Sequence, residues 1–469
     1  MKKLCLLVLG LSMSTVLMAQ QKPLHQLQQE FEDLRFGLFT HWAIPTYVEA
    51  DWSDPDQSPE IIDAPKLDCN QWARAAKSAH MSYGILSVKH HNGLCLWDTK
   101  TTDYNIMRSK LGRDVVKEYC EAFRKQGLKV MFHFSVLDTH NRLRKNMITP
   151  AKVEMMKEQI RELLTHYGEV TAFIFDGWIA PWGRISYEDV PFTEIYQLIK
   201  SLQPNCLVMD MNSNVFPREE LFYGDIKFYE QGAGQRIDAS ANRLPCMACL
   251  PLQRTWFWKE SMPTDQLRSA EEVVNDNLIP YGKAHCSFVL NAAPNRDGLI
   301  DANALARLKE IGELDKDDVK QHYPVAECAA PIVQENVALN KPAESSWSDD
   351  TSIMDYANDN DFGSCWWSFP TVKNPFWEVA LGADQPINMI VLTEPKGGII
   401  QEYKLEYKAK AGSWQTLFNG PAPTQSRVKI HRFATVMAAT VRITITRSNG
   451  QAGIAELGVY KPLAETENK

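Results

Sequence analysis

The chain has 469 residues, of which 44% are hydrophobic, 23% charged and 10% aromatic. That balance excludes a disordered tail, a collagen-like fibre or a small disulfide scaffold, and the length points to two domains. A formal net charge of −8 leaves no footprint for nucleic acid, while 13 tryptophans suit neutral ligands with flat apolar faces, sugars above all, although large cores also use tryptophan.

Residues 1–20 read MKKLCLLVLGLSMSTVLMAQ. Lys2 and Lys3 precede an apolar run from Leu4 to Leu17, and Ala19 is a small residue at a plausible cleavage point, the pattern of a secretory signal peptide. Its loss would take the charge to −8 − 2 = −10. The expectation is an exported protein, periplasmic or extracellular in a bacterium. No later segment is apolar for the length a bilayer needs, so no membrane span is expected.

Residues 21–325 alternate β-rich runs with helical patterns. The predicted strands are Gly37–His41, Gly84–Val88, Lys129–Phe134, Ala172–Phe175, Cys206–Met209, Ile226–Tyr229, a weak one near Arg254–Phe257, and Ser287–Leu290. Most are continuous apolar runs, as parallel strands buried on both faces should be. Between them lie helical patterns at Asn70–His80, Asp114–Gln126, Pro150–His166 (Thr149 as N-cap), Phe192–Leu202 and Ala270–Leu278. The fold class is α/β, a (β/α)8 TIM-like barrel. Residues 326–335 are the expected linker. From residue 336 to 463 short alternating strands, among them PFWEVALG, NMIVLTE, EYKLEYKA, TVRITITRS and AELGVYK, predict an antiparallel β-sandwich.

Nine of the ten cysteines follow the leader. This odd, scattered set argues against a dense disulfide framework, and Cys246 with Cys249 is a lone C-x-x-C that reads as chance or a single bridge.

The chemistry gathers at the strand ends. Strand one closes on His41, strand two on Lys89-His90-His91, strand three contains His133, and later strands end on Asp176, Asp210 with Asn212, Glu230 and Asn291. In such barrels the active site lies at the C-terminal strand ends, whereas interior layers are aliphatic. Asp176 suits a nucleophile or base and Glu230 a protonated partner, the pair that glycosidic hydrolysis requires. Taken singly, either carboxylate could be a helix cap or half of an ion pair. His41, His90 and His91 could also ligate zinc. That reading ranks second, because adjacent residues of one extended strand point to opposite sides. No metal and no cofactor are expected.

Specific motifs sharpen this. RFGLFTHW, KHHNGLCLWD, FIFDGW and HCSFVLNAAPNRDGLI, in that family's order, resemble segments of the glycoside hydrolase family 29 α-L-fucosidases over roughly residues 31–323. The resemblance implies a retaining exo-hydrolase of terminal α-L-fucose, with a fucosylated glycan or oligosaccharide as its partner. Asp176 would be the nucleophile and Glu230 the acid and then the base, with Glu219 and Glu220 as fallbacks for Glu230. His41, His90, His91 and His133 would hold the sugar, Trp97 would line the pocket and Trp256 would pack on the ring. Asp51-Trp52 stands where the family has Glu-Trp, and Arg236 matches an arginine beyond the acid segment. Asn92 and His133 depart from the family's usual residues, which keeps a galacto-configured glycoside open as the substrate. A non-catalytic glycan-binding protein on an enzyme-like barrel is the reading of a different class. NVALNKPAESS and WEVALG are similar to the coagulation-factor-5/8 type C (discoidin-like) domain, which has a galactose-binding-like fold. This implies a carbohydrate-binding module or a support for the barrel.

Overall fold

The computed structural model describes residues 21–463 except 179, 181, 212–222, 235–241, 243, 316–330, 362–363 and 425–426. The leader 1–20, Asn212, Glu219, Glu220 and Arg236 therefore lie outside the described residues.

Eight parallel strands close into a barrel in sequence order. They are β1 (Phe36–Thr40), β2 (Tyr83–Lys89), β3 (Lys129–Ser135), β4 (Ala172–Asp176), β5 (Leu207–Asp210), β6 (Ile226–Glu230), β7 (Cys246–Pro251) and β8 (Cys286–Asn291). β8 pairs back onto β1, with Phe36 beside Phe288 and Phe39 beside Asn291. Seven strands fall where the sequence places them, but the seventh is corrected. β7 is CMACLP, about eight residues before the predicted Arg254–Phe257. Its alternation also disposes of a Cys246–Cys249 bridge, since residues three apart on a strand face opposite sides. Cys246 packs with the outer core and Cys249 with the barrel interior, and all eight described cysteines are free.

Strand alternation sorts each strand into two faces. One set (Phe39, Tyr83, Ile85, Met131, Ala172, Ile174, Met209, Phe228, Met247 and Val289) fills the barrel interior. The other (Leu38, Leu86, Phe132, Phe173, Phe175, Val208 and Leu290) packs outward on the helices. The helices Cys69–Ser78, Val115–Lys125, Pro150–His166 and Phe192–Leu202 match the expected patterns. The Ala270–Leu278 pattern is a short α-helix that widens into a π-turn at Val274–Leu278 and resumes at Ile279–Lys283. Pro280 lies in that resumed turn, where it can donate no backbone hydrogen bond.

Beyond the barrel lies an antiparallel β domain, comprising β9 (Ala343–Ser345), β10 (Trp366–Trp367), β11 (Phe376–Thr393), β12 (Ile400–Lys408), β13 (Gln415–Pro421), β14 (Val428–Ser448), β15 (Gly453–Ile454) and β16 (Glu456–Tyr460). The large sheet runs β13-β12-β14-β11-β16, with β9 on β11, and β10 pairs β15 separately. PFWEVALG and NMIVLTE belong to one strand, β11, whose ladder with β14 shifts register twice. Trp366 and Trp377 are fully buried in this domain's own core, whereas Trp347 is 69% exposed and stacks on Phe369. Among the described residues no helix is long and apolar enough to cross a membrane.

Candidate active site

The inward face of the strands is aliphatic along most of its length and turns polar at the C-terminal ends. Continuing the interior set by two residues brings Ser87, His133, Asp176, Glu230, Asn291 and, just past β1, His41 to one mouth. The opposite parity sends Asp210 out of the barrel, where it accepts a short hydrogen bond from the Tyr187 hydroxyl. β2 carries an irregularity. Ser87 is level with His133, yet Lys89 is level with Phe134, so Val88 is an extra residue. The bulge turns Lys89 outward, with Nζ 3.0 Å from Gln159 Oε1 and 4.1 Å from the centre of the Phe134 ring. His90 and His91 follow the strand's end, so the expected divergence of their side chains is corrected: their rings lie 4.1 Å apart.

The hydrogen bonds behind the histidines fix their tautomers. Asn291 Nδ2 donates to the Trp256 carbonyl (2.9 Å), so its Oδ1 is the acceptor facing His41 Nδ1 at 2.8 Å. His41 thus carries its proton on Nδ1 and a lone pair on Nε2. Ser135 donates its single hydroxyl proton to the Leu137 carbonyl (2.7 Å), so its oxygen accepts from His91 Nδ1 (2.7 Å). Burial, above all, lowers His41 to about 3 and His91 to about 4, so both rings are neutral near pH 7. Burial and then His91 hold His90 well below its ordinary value. His133 is arranged the other way round. Its Nδ1 is 2.9 Å from the Ser87 hydroxyl, and its Nε2 is 3.3 Å from Asp176 Oδ2, to which it donates. His91 Nε2 lies 3.5 Å from that same oxygen.

The two carboxyls are pushed apart. Burial opposes ionisation of Asp176, but the charge that His91 carries in the acid range where the carboxyl titrates, and the hydrogen bond from His133, outweigh it and hold the group below its ordinary value. Glu230 goes up to about 8, first because burial disfavours its charge and then because Asp176 is negative; a hydrogen bond from Trp256 offsets part of this. Asp51 adds to the rise and accepts weakly from the Phe257 amide (3.4 Å). The indole of Trp256 lies 5.4 Å from the His41 ring, and Trp52 lies 4.6 Å from His91 at the rim.

The alpha-L-fucosidase family model matches residues 56–317, more than half of the chain. The chain belongs to the alpha-L-fucosidase family. The F5/8 type C domain model matches residues 340–457. Alpha-L-fucosidase 1 of Arabidopsis thaliana is 25% identical over 464 residues, covering 93% of this chain and 86% of the relative. The Dictyostelium discoideum alpha-L-fucosidase is 22% identical, covering 60% of this chain and 68% of its own length. Among solved structures, alpha-L-fucosidase isoenzyme 1 from Paenibacillus thiaminolyticus superposes with a TM-score of 0.54 at 23% identity, covering 91% of this chain and 100% of that one. A putative alpha-L-fucosidase from Bacteroides ovatus gives a TM-score of 0.53 at 20% identity, with 96% and 78% coverage. These superpositions speak to the shared fold.

Of the residues singled out from the sequence of this family member, the structure brings together His41, His90, His91, His133, Asp176, Glu230, Asp51, Trp52 and Trp256. It does not bring Trp97 to the cluster. That residue is fully buried in the layer between strands and helices, with its indole N–H 2.8 Å from Glu162. Sequence reasoning missed Ser87, Ser135 and Trp182. The two serines sit at inward strand positions where alternation predicts an aliphatic residue, which is the signal that could have marked them. Among the described residues no group of three or more His, Cys, Asp and Glu side chains is arranged to hold a metal ion.

Proposed function

We propose that this member of the family is a retaining exo-α-L-fucosidase that removes terminal α-L-fucose from glycans or oligosaccharides through a covalent glycosyl-enzyme intermediate. One observation carries the reading. Two carboxyls at the ends of β4 and β6 share a pocket whose surroundings keep Asp176 ionised and Glu230 protonated at neutral pH.

In the first step Asp176 attacks the anomeric carbon. The bond to the leaving sugar breaks, and the Glu230 proton passes to the departing oxygen. In the second step the Glu230 carboxylate takes a proton from water, whose oxygen attacks the same carbon and frees Asp176. His133 and His91 both approach Oδ2 of Asp176, which leaves Oδ1 as the attacking atom. The bare Nε2 atoms of His41 and His91 accept hydrogen bonds from sugar hydroxyls, His90 and Asp51 complete the polar wall, and Trp256 supplies the apolar face. The leader 1–20 supports export, which sequencing the N-terminus of protein secreted by a bacterial host checks.

The test is hydrolysis of 4-nitrophenyl α-L-fucoside and fucosylated trisaccharides. Asp176→Asn is expected to abolish turnover of both. Glu230→Ala is expected to lose about 10²–10⁴-fold on the trisaccharides, and azide should rescue it on the aryl fucoside as a fucosyl azide of retained configuration. Full activity of Asp176→Asn overturns the reading, and undiminished trisaccharide hydrolysis by Glu230→Ala removes Glu230 from the acid/base role.

A further inference from the structure

β7 and β8 both open on a cysteine, Cys246 and Cys286. The two strands run parallel and pair Cys246 with Cys286 in direct register. Strand alternation turns both side chains outward, where they share the core between strands and helices with Ala248, Leu250, Phe288 and Leu290. Their thiols are in hydrogen-bond contact. The strand starts are also tied to each other. The Cys246 amide donates to the His285 carbonyl (2.9 Å), and Asn242 Nδ2 donates to the Cys246 sulfur (3.2 Å) and to the Ala284 carbonyl. Cys249, the other cysteine of β7, stands level with Glu230 and Val289 and faces the interior.

Two thiols so placed meet the geometric demand of a disulfide. Neighbouring strands lie about 4.7–4.9 Å apart, inside the roughly 4.4–6.8 Å between Cα atoms that the bond spans. Registered residues of parallel strands also point the same way. The alternation that separates Cys246 from Cys249 thus supplies Cys246 with a different partner, 40 positions along the chain.

We propose that Cys246 and Cys286 are a modification site, a thiol pair oxidised to a disulfide as the chain folds in an oxidising compartment. This rests on the export reading of the leader 1–20 and is independent of the fucosidase reading. The co-reactant is a disulfide oxidant, small-molecule or protein-borne. One cysteine loses its proton, and its thiolate attacks an oxidant sulfur, breaking the oxidant's S–S bond and expelling one thiol. The second thiolate then attacks the mixed disulfide. The Cys246–Cys286 bond forms, and two electrons and both protons end on the oxidant's two thiols. Both cysteines are buried in the folded barrel, and burial holds the Cys246 thiol well above its ordinary value, so the exchange belongs to the folding chain. Once formed, the bond restricts the unfolded chain and ties the strand that closes the barrel to its neighbour. It lies at the rim opposite the pocket, roughly 17 Å along β8 from Asn291.

The experiment maps the cysteines of protein exported by a bacterial host. The protein is unfolded in guanidinium with a maleimide present, digested without reductant and read by mass spectrometry. A peptide pair linked through Cys246 and Cys286 is expected, and it should vanish on reduction. Alkylation of both residues, or a link from either to a different cysteine, overturns the proposal. If the leader does not export the protein, the export reading is what fails. Residues 1–20 are then replaced by a signal peptide that the host does export, and the same map decides the pairing. Stability gives a second readout. Dithiothreitol is expected to lower the Tm of the exported wild type by several degrees and to leave that of Cys246→Ala in place. An equal response of the two proteins overturns the proposal.

Discussion

The Ser87 hydroxyl lies behind His133, yet it determines what Asp176, the proposed nucleophile, meets. With Ser87 donating to Nδ1, the proton of His133 sits on Nε2 and points at Asp176 Oδ2. In Ser87→Ala that donor is gone, and the ring is free to take the tautomer that turns a lone pair toward the carboxylate. The expected result is a kcat lower by about tenfold, the worth of one hydrogen bond, with KM little changed and the acid limb of the pH profile moved upward. Ser87→Thr, which keeps the hydroxyl, should restore most of it. Glu230 sets the opposite limb. Because it holds its proton up to about pH 8, kcat/KM should fall as pH rises through that value and Glu230→Gln should remove the limb. The sign for stability follows the same shift. Between the ordinary carboxyl value near 4.5 and about 8 the unfolded chain has released this proton and the folded one retains it, so folding weakens as pH rises. Glu230→Gln should therefore raise Tm by an amount that grows from pH 5 to pH 8 and then levels off. Residue types and strand-end positions were legible in the sequence for this site. Tautomers were not, because they depend on partners such as Asn291 that lie 250 positions away.

At the scale of elements, strand alternation explains most of what the sequence revealed and what it hid. Apolar runs marked seven strands to within a residue, but a run alone does not tell the inside of a barrel from the outside. Lys89 and Asp210 therefore counted among the polar strand ends together with Asp176. The bulge at Val88, invisible in a run of apolar residues, exchanges Lys89 for His90 at the pocket. β7 escaped notice because CMACLP is short, ends in proline and carries cysteines that suggest other chemistry. The turn beyond β2 is equally exacting. Gly93 has φ of +93°, and a Cβ there would fall 2.1 Å from Asp138 Oδ1. Asp138 also caps the Asn141 amide (2.8 Å) and lies 3.5 Å from Lys89 Nζ, so it cannot readily move. Gly93→Ala should cost roughly 2 kcal/mol, seen as a Tm lower by about 5 °C, and should displace His91 enough to raise KM.

Among the described residues the barrel, with a core on each face of its strands, and the β domain each have their own hydrophobic interior. Between them lie a small cluster of Ile332, Met389, Val391 and Tyr460 with Tyr223, and an exposed Arg184–Asp361 pair at 3.4 Å. Such a surface pair contributes little. Calorimetry should resolve two unfolding transitions. Saturating α-L-fucose should raise one by several degrees and leave the other in place, because a ligand stabilises only the unit that binds it. The change of texture near residue 336 made this division readable, whereas the joining of PFWEVALG and NMIVLTE into one strand depends on pairing with β14, which lies later in the chain. The contact between His41 and Asn291 has a temporal meaning as well. His41 directly follows the first strand to leave the ribosome and Asn291 ends the last strand of the barrel, so the face of His41 proposed to bind sugar is set only when the ring of strands shuts. Growing chains that stop short of β8 should bind no fucose, however much of the barrel they have already built, and fucose capture by stalled nascent chains would time the moment of closure.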